Sequence, residues 1–205
     1  NHPIHLSAIA TAAGITIDWD DFCELSTAVP LLARVYPNGV ADVNHFHAAG
    51  GLALVVRELL DAGLLHDDVK TILGEGLRRF CVEPFIADDR LEWRDGPTES
   101  LDKEIIASVA SPFDQEGGLR LVKGNIGRAV VKISAVAEEY HSITAPARVF
   151  TSQEDFKRAF NDGELETDFV AVLANQGPAA IGMPELHKLT PYLGLLQNRG
   201  FKVAL

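Results

Sequence analysis

The hydrophobic period of this chain changes once, and that change constrains its fold more than any other feature. From the start to about residue 95, apolar residues recur at helical spacing; beyond about residue 118 they alternate. Ile4, Leu6, Ile9 and Ala13 define a first helical face, and Gly14 supplies its stop. Asp18 is placed to cap a helix through "WDDFCELSTAV", with acids in the first turn where the helix dipole favours them. "VYPNG" is a turn by composition. Asp42 is placed to cap "VNHFHAAGG", and "LALVVRELLDAG" predicts a strongly periodic helix ended by Gly63. A further helix is expected over "HDDVKTILGEGLRRF", with Asp67 or Asp68 as its cap.

In the second half, "LRLVKG", "AVVKISAV", "ARVFTS", "FVAVLANQ" and "KVAL" read as strands bounded by Gly, Pro and polar residues. Ser152 is placed to cap a helix over "QEDFKRAFNDG", and "TPYLGLLQNRG" predicts a short helix before the last strand. Between Gly96 and Gly118 both periods dissolve. The expected fold class is therefore mixed α/β, with a helical part over 1–97, a crossover over 98–117 and a strand-rich part over 118–205. The first helices are more apolar than a free-standing bundle needs and are expected to pack on a sheet upstream of residue 1. The chain opens on Asn1 directly before a helical pattern and closes on "GFKVAL", read as an interior strand. Both ends suggest a piece of a longer protein.

Charge narrows the partners. A formal charge of −11, with 18 Lys and Arg against 29 Asp and Glu, argues against nucleic acid, which needs clustered cations for its phosphates. Apolar runs such as "GGLALVV" fall far short of a membrane span. The two cysteines, Cys23 and Cys81, make no disulfide framework and suit a reducing, cytoplasmic setting. Neither lies in a close-spaced ligand motif, so both read as ordinary thiols. "GGLRLVKGNIGR" lacks the spacing and the Lys-Ser/Thr ending of a phosphate-binding loop.

Two stretches concentrate polar chemistry. "NQGPAAIGMPELHKLTP" crowds Glu185, His187 and Lys188 onto a segment stiffened by three prolines, with Gly182 and Pro184 fixing the backbone beside Glu185. Solvated loop charges are the plain alternative to a binding site there. "DVNHFHAAGG" sets Asn44, His45 and His47 together. Helical spacing of two directs the two rings to different faces, so a metal shared by the pair is not expected. One ring can meet an anion or substrate; one core and one surface histidine is the plain alternative.

Four blocks in order, "NHPIHLSAIATAAGI", "LLARVYPNGVADVNHFHAAGG", "EGGLRLVKGNIGRAVVKISAV" and "QGPAAIGMPELHKLTP", resemble the dihydroxy-acid dehydratase and phosphogluconate dehydratase family over essentially the whole chain. "ADVNHFHAAGG" and "GMPELHKLTP" resemble the phosphogluconate branch; the branched-chain branch typically has "GMPEM" where this chain has "GMPEL". The resemblance implies a hydro-lyase that takes water from 6-phospho-D-gluconate to give 2-dehydro-3-deoxy-6-phosphogluconate in the Entner–Doudoroff pathway. It implies an α/β N-terminal domain followed by a β-barrel-like swivelling β/β/α C-terminal domain, assembled as a homodimer. It also implies a 4Fe–4S cluster as Lewis acid and a divalent cation, Mg²⁺ or Mn²⁺. On this resemblance Glu185 reaches the divalent cation, and Asn1, His2, Asn44, His45, His47, His187 and Lys188 are candidates for substrate contact; His5 is expected to pack. The family's cluster cysteines precede the first block, and its serine base follows "FKVAL", so neither a cluster ligand nor the catalytic base is expected among these residues. The alternatives are a branched-chain dihydroxy-acid dehydratase and a non-catalytic sugar-acid-binding protein of the same fold.

The chain by itself, reconstituted anaerobically with iron and sulfide, is therefore expected to stay colourless and inactive on 6-phosphogluconate. A stable brown, active preparation would force Cys23 or Cys81 into a ligand role.

Overall fold

Short polar side chains set where the helices begin. In the computed structural model, which describes residues 2–182 and 186–205, α1 (His2–Ala12) is followed by α2 (Trp19–Ala28). The Asp18 carboxylate accepts from the Asp20 and Asp21 backbone N–H groups at the start of α2, and the Asp21 carboxylate accepts from the Asp18 N–H in return. Asp42 caps α3 (Val43–Ala48). Gly50, at φ 132°, turns the chain from α3 into α4 (Gly51–Asp61), and a Cβ there would lie 2.7 Å from Leu54 Cδ2.

The mixed α/β class is as expected, but residues 67–95 form no α-helix. β1 (Lys70–Thr71) and β2 (Gly74–Glu75) form a small antiparallel pair, a 3₁₀ turn spans Leu77–Phe80, and β3 (Val82–Ala87) pairs antiparallel with β4 (Arg90–Asp95). Two causes override the helical reading. Gly74 and Gly76 adopt φ 106° and 96°, which an α-helix cannot hold. Asp88 and Asp89 both take left-handed φ, 48° and 58°, the geometry of a tight hairpin turn. The register pairs Pro84 with Trp93 and Ile86 with Leu91, so an apolar stripe runs along one face of this hairpin. Its other face carries the Glu83–Arg94 ion pair, with the Arg94 guanidinium over the Phe85 ring.

Two compact units divide the described chain at places other than the change of period: residues 17–136 form one, and residues 2–16 with 137–205 form the other. Within 17–136, the stretch expected as a crossover contributes core. Ile105 and Ile106 are buried with Ala41, Ala49 and Leu54, and Ala107 N–H donates to the Leu32 carbonyl at 2.8 Å. The hairpin of β5 (Leu119–Gly124) and β6 (Gly127–Lys132) belongs here too. The Ser26 hydroxyl accepts from Leu119 N–H at 3.0 Å, and Asp20 on α2 pairs with Arg128.

The other unit is built on parallel strands. β7 (Ala147–Phe150), β8 (Phe169–Leu173) and β9 (Val203–Ala204) lie in the order β7-β8-β9, all parallel. Their connections are helical: α5 (Gln153–Asn161), capped by Ser152, then α6 (Pro178–Ile181), a 3₁₀ turn at Leu186–Leu189 and α7 (Thr190–Asn198). Phe156 and Leu189 on these connections are fully buried with Phe169, Leu196 and Val203. The Phe150 and Phe156 rings meet edge to face at 5.1 Å. Among the described residues β9 pairs with β8, with Val203 buried and Leu205 exposed. Among the described residues, no sheet closes on itself into a barrel.

Removing the Phe156 ring leaves a cavity among fully buried neighbours, so Phe156→Ala is expected to cost about 3–5 kcal/mol in urea unfolding monitored on this unit. Val149→Ala, on a strand position left 64% exposed, is expected to cost well under about 1 kcal/mol. Equal losses from the two variants would show that the aromatic cluster is not this unit's core.

Candidate functional site

The start of α3 gathers three of the expected residues, and the Asp42 carboxylate organises them. Its Oδ1 accepts from Asn44 N–H at 2.9 Å and from His45 N–H at 3.0 Å, and lies 2.8 Å from His45 Nδ1. The His45 backbone N–H, then the His45 ring and the Asn44 N–H, hold the Asp42 carboxyl below its usual range. Asn44 and His45 are exposed.

His47 goes elsewhere. It lines a cavity of about 710 Å³ whose walls include Gly50 and Leu52 on the α3–α4 side, and Arg79, Glu83 and Trp93 from the hairpin side. Two residues apart on one helix, the rings diverge, one to its own cap and one to the cavity. The Arg79 guanidinium is turned onto backbone, donating from Nε to the Glu75 carbonyl at 2.9 Å and from Nη1 to the Leu73 carbonyl at 3.1 Å. Glu83 is held by Arg94 at 2.6 Å. The cavity is thus mainly apolar, with its charges already engaged. Sequence reading missed it because residues 82–95 were taken as helical; the alternation in "VEPFIADDRLEWRD" around its Asp-Asp pair is the signal that points to a hairpin.

In the parallel unit, His187 and Lys188 lie exposed on the 3₁₀ turn Leu186–Leu189, whose Leu189 side chain is buried in the core. The His187 carbonyl accepts from the Thr190 hydroxyl at 2.6 Å, which fixes the turn to the start of α7. This turn belongs to the connection that leaves the carboxyl end of β8, where Asn175 adopts a left-handed φ of 56°. His2 is exposed at the start of α1, and His5, expected to pack, is exposed on the same helix. Glu185 and Asn1 lie outside the described residues.

Metal chemistry finds few donors on the described chain. Iron–sulfur clusters take several thiolates, whereas the chain has two cysteines, Cys23 within α2 and Cys81 just before β3. Burial pushes both thiols up, which favours the neutral form. Among the described residues, no three His, Cys, Asp or Glu side chains converge to hold a metal ion. These residues do not fit an iron–sulfur cluster. Nor is any described helix long and apolar enough to cross a membrane.

Comparison with known proteins extends this geometry. The family model described as dihydroxy-acid/6-phosphogluconate dehydratase N-terminal matches residues 1–80, and its C-terminal counterpart matches residues 104–205. The phosphogluconate dehydratase of Pseudomonas aeruginosa is 60% identical over 205 residues, all of this chain and 34% of that protein. That of Escherichia coli K12 is 57% identical over the same span. A dihydroxy-acid dehydratase of Synechococcus is 35% identical over 210 residues, covering all of this chain and 35% of that protein. The chain thus spans about a third of the length of these relatives.

The lowered Asp42 carboxyl gives the cap a defined pH dependence. A carboxyl depressed by folding contributes stability that is complete above its unfolded value, about 3.9, and is lost as pH falls through the lower folded value. The loss of the Asp42 carboxylate is therefore expected to show as a movement of the Asn44 amide resonance that begins only below about pH 4. In Asp42→Asn, which keeps an accepting oxygen without the acid, that acid-limb movement should disappear.

Proposed function

The chain belongs to the dihydroxy-acid/6-phosphogluconate dehydratase family, and from that premise we propose that the protein it forms part of dehydrates 6-phospho-D-gluconate. The observation that carries this reading is the gap in identity between relatives named phosphogluconate dehydratase and the one named dihydroxy-acid dehydratase. In the proposed reaction the C2 proton is removed and the C3 hydroxyl leaves as water. The resulting enol takes a proton at C3 to become 2-dehydro-3-deoxy-6-phosphogluconate. The base and the Lewis acid for these steps are not assigned to residues of this chain.

What this chain contributes, on this reading, is recognition of the substrate. A parallel sheet meets ligands beyond the carboxyl ends of its strands, and the connection leaving that end of β8 leads to His187 and Lys188. Lys188 is a compact point charge for the phosphate, with the His187 imidazole beside it in sequence. Asn44, His45 and His47 offer amide and imidazole groups that match the hydroxyls of a sugar acid. Glu185 supplies a carboxylate of the kind a hard divalent cation prefers, and such a cation would polarise the substrate's carboxylate end. Pairing of two copies is proposed on family grounds.

In the full-length dehydratase, Lys188→Met is expected to raise KM for 6-phosphogluconate by about tenfold, a loss of roughly 1.4 kcal/mol, with a smaller effect on kcat. Glu185→Gln is expected to lower kcat/KM by at least about tenfold without a change in unfolding midpoint. Wild-type turnover of a dihydroxy acid in preference to 6-phosphogluconate would overturn the substrate assignment.

A further inference from the structure

The His45 ring answers two competing demands through a single atom. As the third residue of α3 it stands where a side chain can accept the Asp42 backbone N–H, and Nδ1 lies 3.4 Å from that nitrogen. The same Nδ1 lies 2.8 Å from Asp42 Oδ1. The first contact needs a lone pair on Nδ1; the second needs a proton there, because an ionised carboxylate only accepts. A neutral imidazole cannot satisfy both. The carboxylate contact is shorter by 0.6 Å and is charge-assisted, roughly twice as strong as a neutral bond. The amide contact lies beyond the usual range for an N–H bond, about 2.7–3.2 Å. The carboxylate therefore decides which nitrogen carries the hydrogen.

We propose that Asp42 is a positioning residue: its carboxylate holds His45 as the Nδ1–H tautomer, so that Nε2 presents a lone pair to a hydroxyl hydrogen of the substrate. The substrate's identity rests on the dehydratase reading above; the tautomer rests on the geometry alone. Three features support the pair. The Oδ1 that faces the ring is also fixed by two backbone N–H groups at 2.9 and 3.0 Å, so the carboxylate cannot rotate away without uncapping α3. No described residue partners Nε2, and the side chain as a whole is 65% exposed. His47, two residues on, turns to the cavity, so nothing in α3 competes for the carboxylate. An imidazole oriented by a carboxylate at one nitrogen works through the other, the general way histidine is aimed at a reacting or bound group.

The test uses long-range proton–nitrogen spectra of the chain with labelled histidine, recorded in alkaline buffer. His45→Gln identifies the His45 signals. Wild-type His45 is expected to show a protonated Nδ1 and a bare Nε2. Asp42→Asn, an equally good helix cap without the charge, is expected to shift His45 toward the Nε2–H tautomer while the α3 amide pattern stays in place. A wild-type ring protonated at Nε2 overturns the proposal, whatever the variant does. In the full-length enzyme, Asp42→Asn and His45→Gln are each expected to lower kcat/KM by about tenfold, and the double variant by no more than either alone, because Asp42 acts through His45. Losses that multiply in the double variant, or full activity in Asp42→Asn, overturn the positioning role. A wild-type enzyme inactive on 6-phosphogluconate overturns the reaction assigned above and leaves the tautomer result standing.

Discussion

The guanidinium of Arg57 is the contact on which the 17–136 unit depends. It projects from α4 and donates from Nη2 to the Cys81 carbonyl at 3.0 Å and to the Gly96 carbonyl at 3.3 Å. Those carbonyls flank the two ends of the β3–β4 hairpin, which Gly96 N–H also joins by donating to Cys81 at 3.0 Å. One side chain thereby ties a helix to the root of a hairpin that has no third strand among the described residues. An isolated two-stranded hairpin is marginal in water, so this anchoring matters more than its few atoms suggest. A hydrogen bond from a charged donor is worth about 1.5–3 kcal/mol, and removing the donor would also leave the Gly96 carbonyl to find a new partner. The hairpin side of the cavity next to His47 stands or falls with this clamp.

The parallel unit reaches order by other means. Among its described residues the core holds no buried charged or polar side chain, and aromatic rings fill the space between sheet and helices: Phe156 sits between Phe150, Phe169 and Tyr192. Charged groups stay at the margin. Arg148 pairs with Glu164 and Arg199 with Glu166, both solvent-facing ion pairs that add little to stability by themselves. Dispersion and apolar burial therefore hold β7, β8 and β9 in register. The exposed turn carrying His187 and Lys188 is anchored through the buried Leu189 beneath it. Polar side chains on that turn are held by apolar ones.

What was legible in the sequence was local. Asp18, Asp42 and Ser152 each cap the helix expected of them, because a cap is decided within three residues. The strand patterns at 119–124, 147–150 and 169–173 likewise match the observed strands. The misread stretch, 67–95, mixes charged residues with apolar ones so that helical and alternating periods both fit, and only the left-handed backbone at Gly74, Gly76, Asp88 and Asp89 separates them. That α2 and the β5–β6 hairpin share a unit was not legible. That Ser26 receives the Leu119 N–H, 93 positions away, is a tertiary choice with no local signature. The cavity shared this fate, since its walls come from segments distant in sequence. Of the candidate site residues, the α3 cluster was visible as composition, but the bond from its own cap to the His45 ring was not.

That bond shows why a helix of only six residues can carry defined chemistry. So short a helix has almost no stability of its own, since nucleation alone consumes its first turn. Its direction is set from outside: by the Asp42 cap at one end, by the Gly50 turn at the other, and by Ala49, buried against Leu54 and Ile106. Within that frame the carboxylate that begins the helix also fixes a side chain one turn along. Capping and aiming are then one interaction rather than two. A charged cap gives more than a neutral one here, because only a charged oxygen outcompetes the backbone N–H for the same ring nitrogen. The identity of the cap, and not just its presence, is therefore what the geometry of His45 depends on.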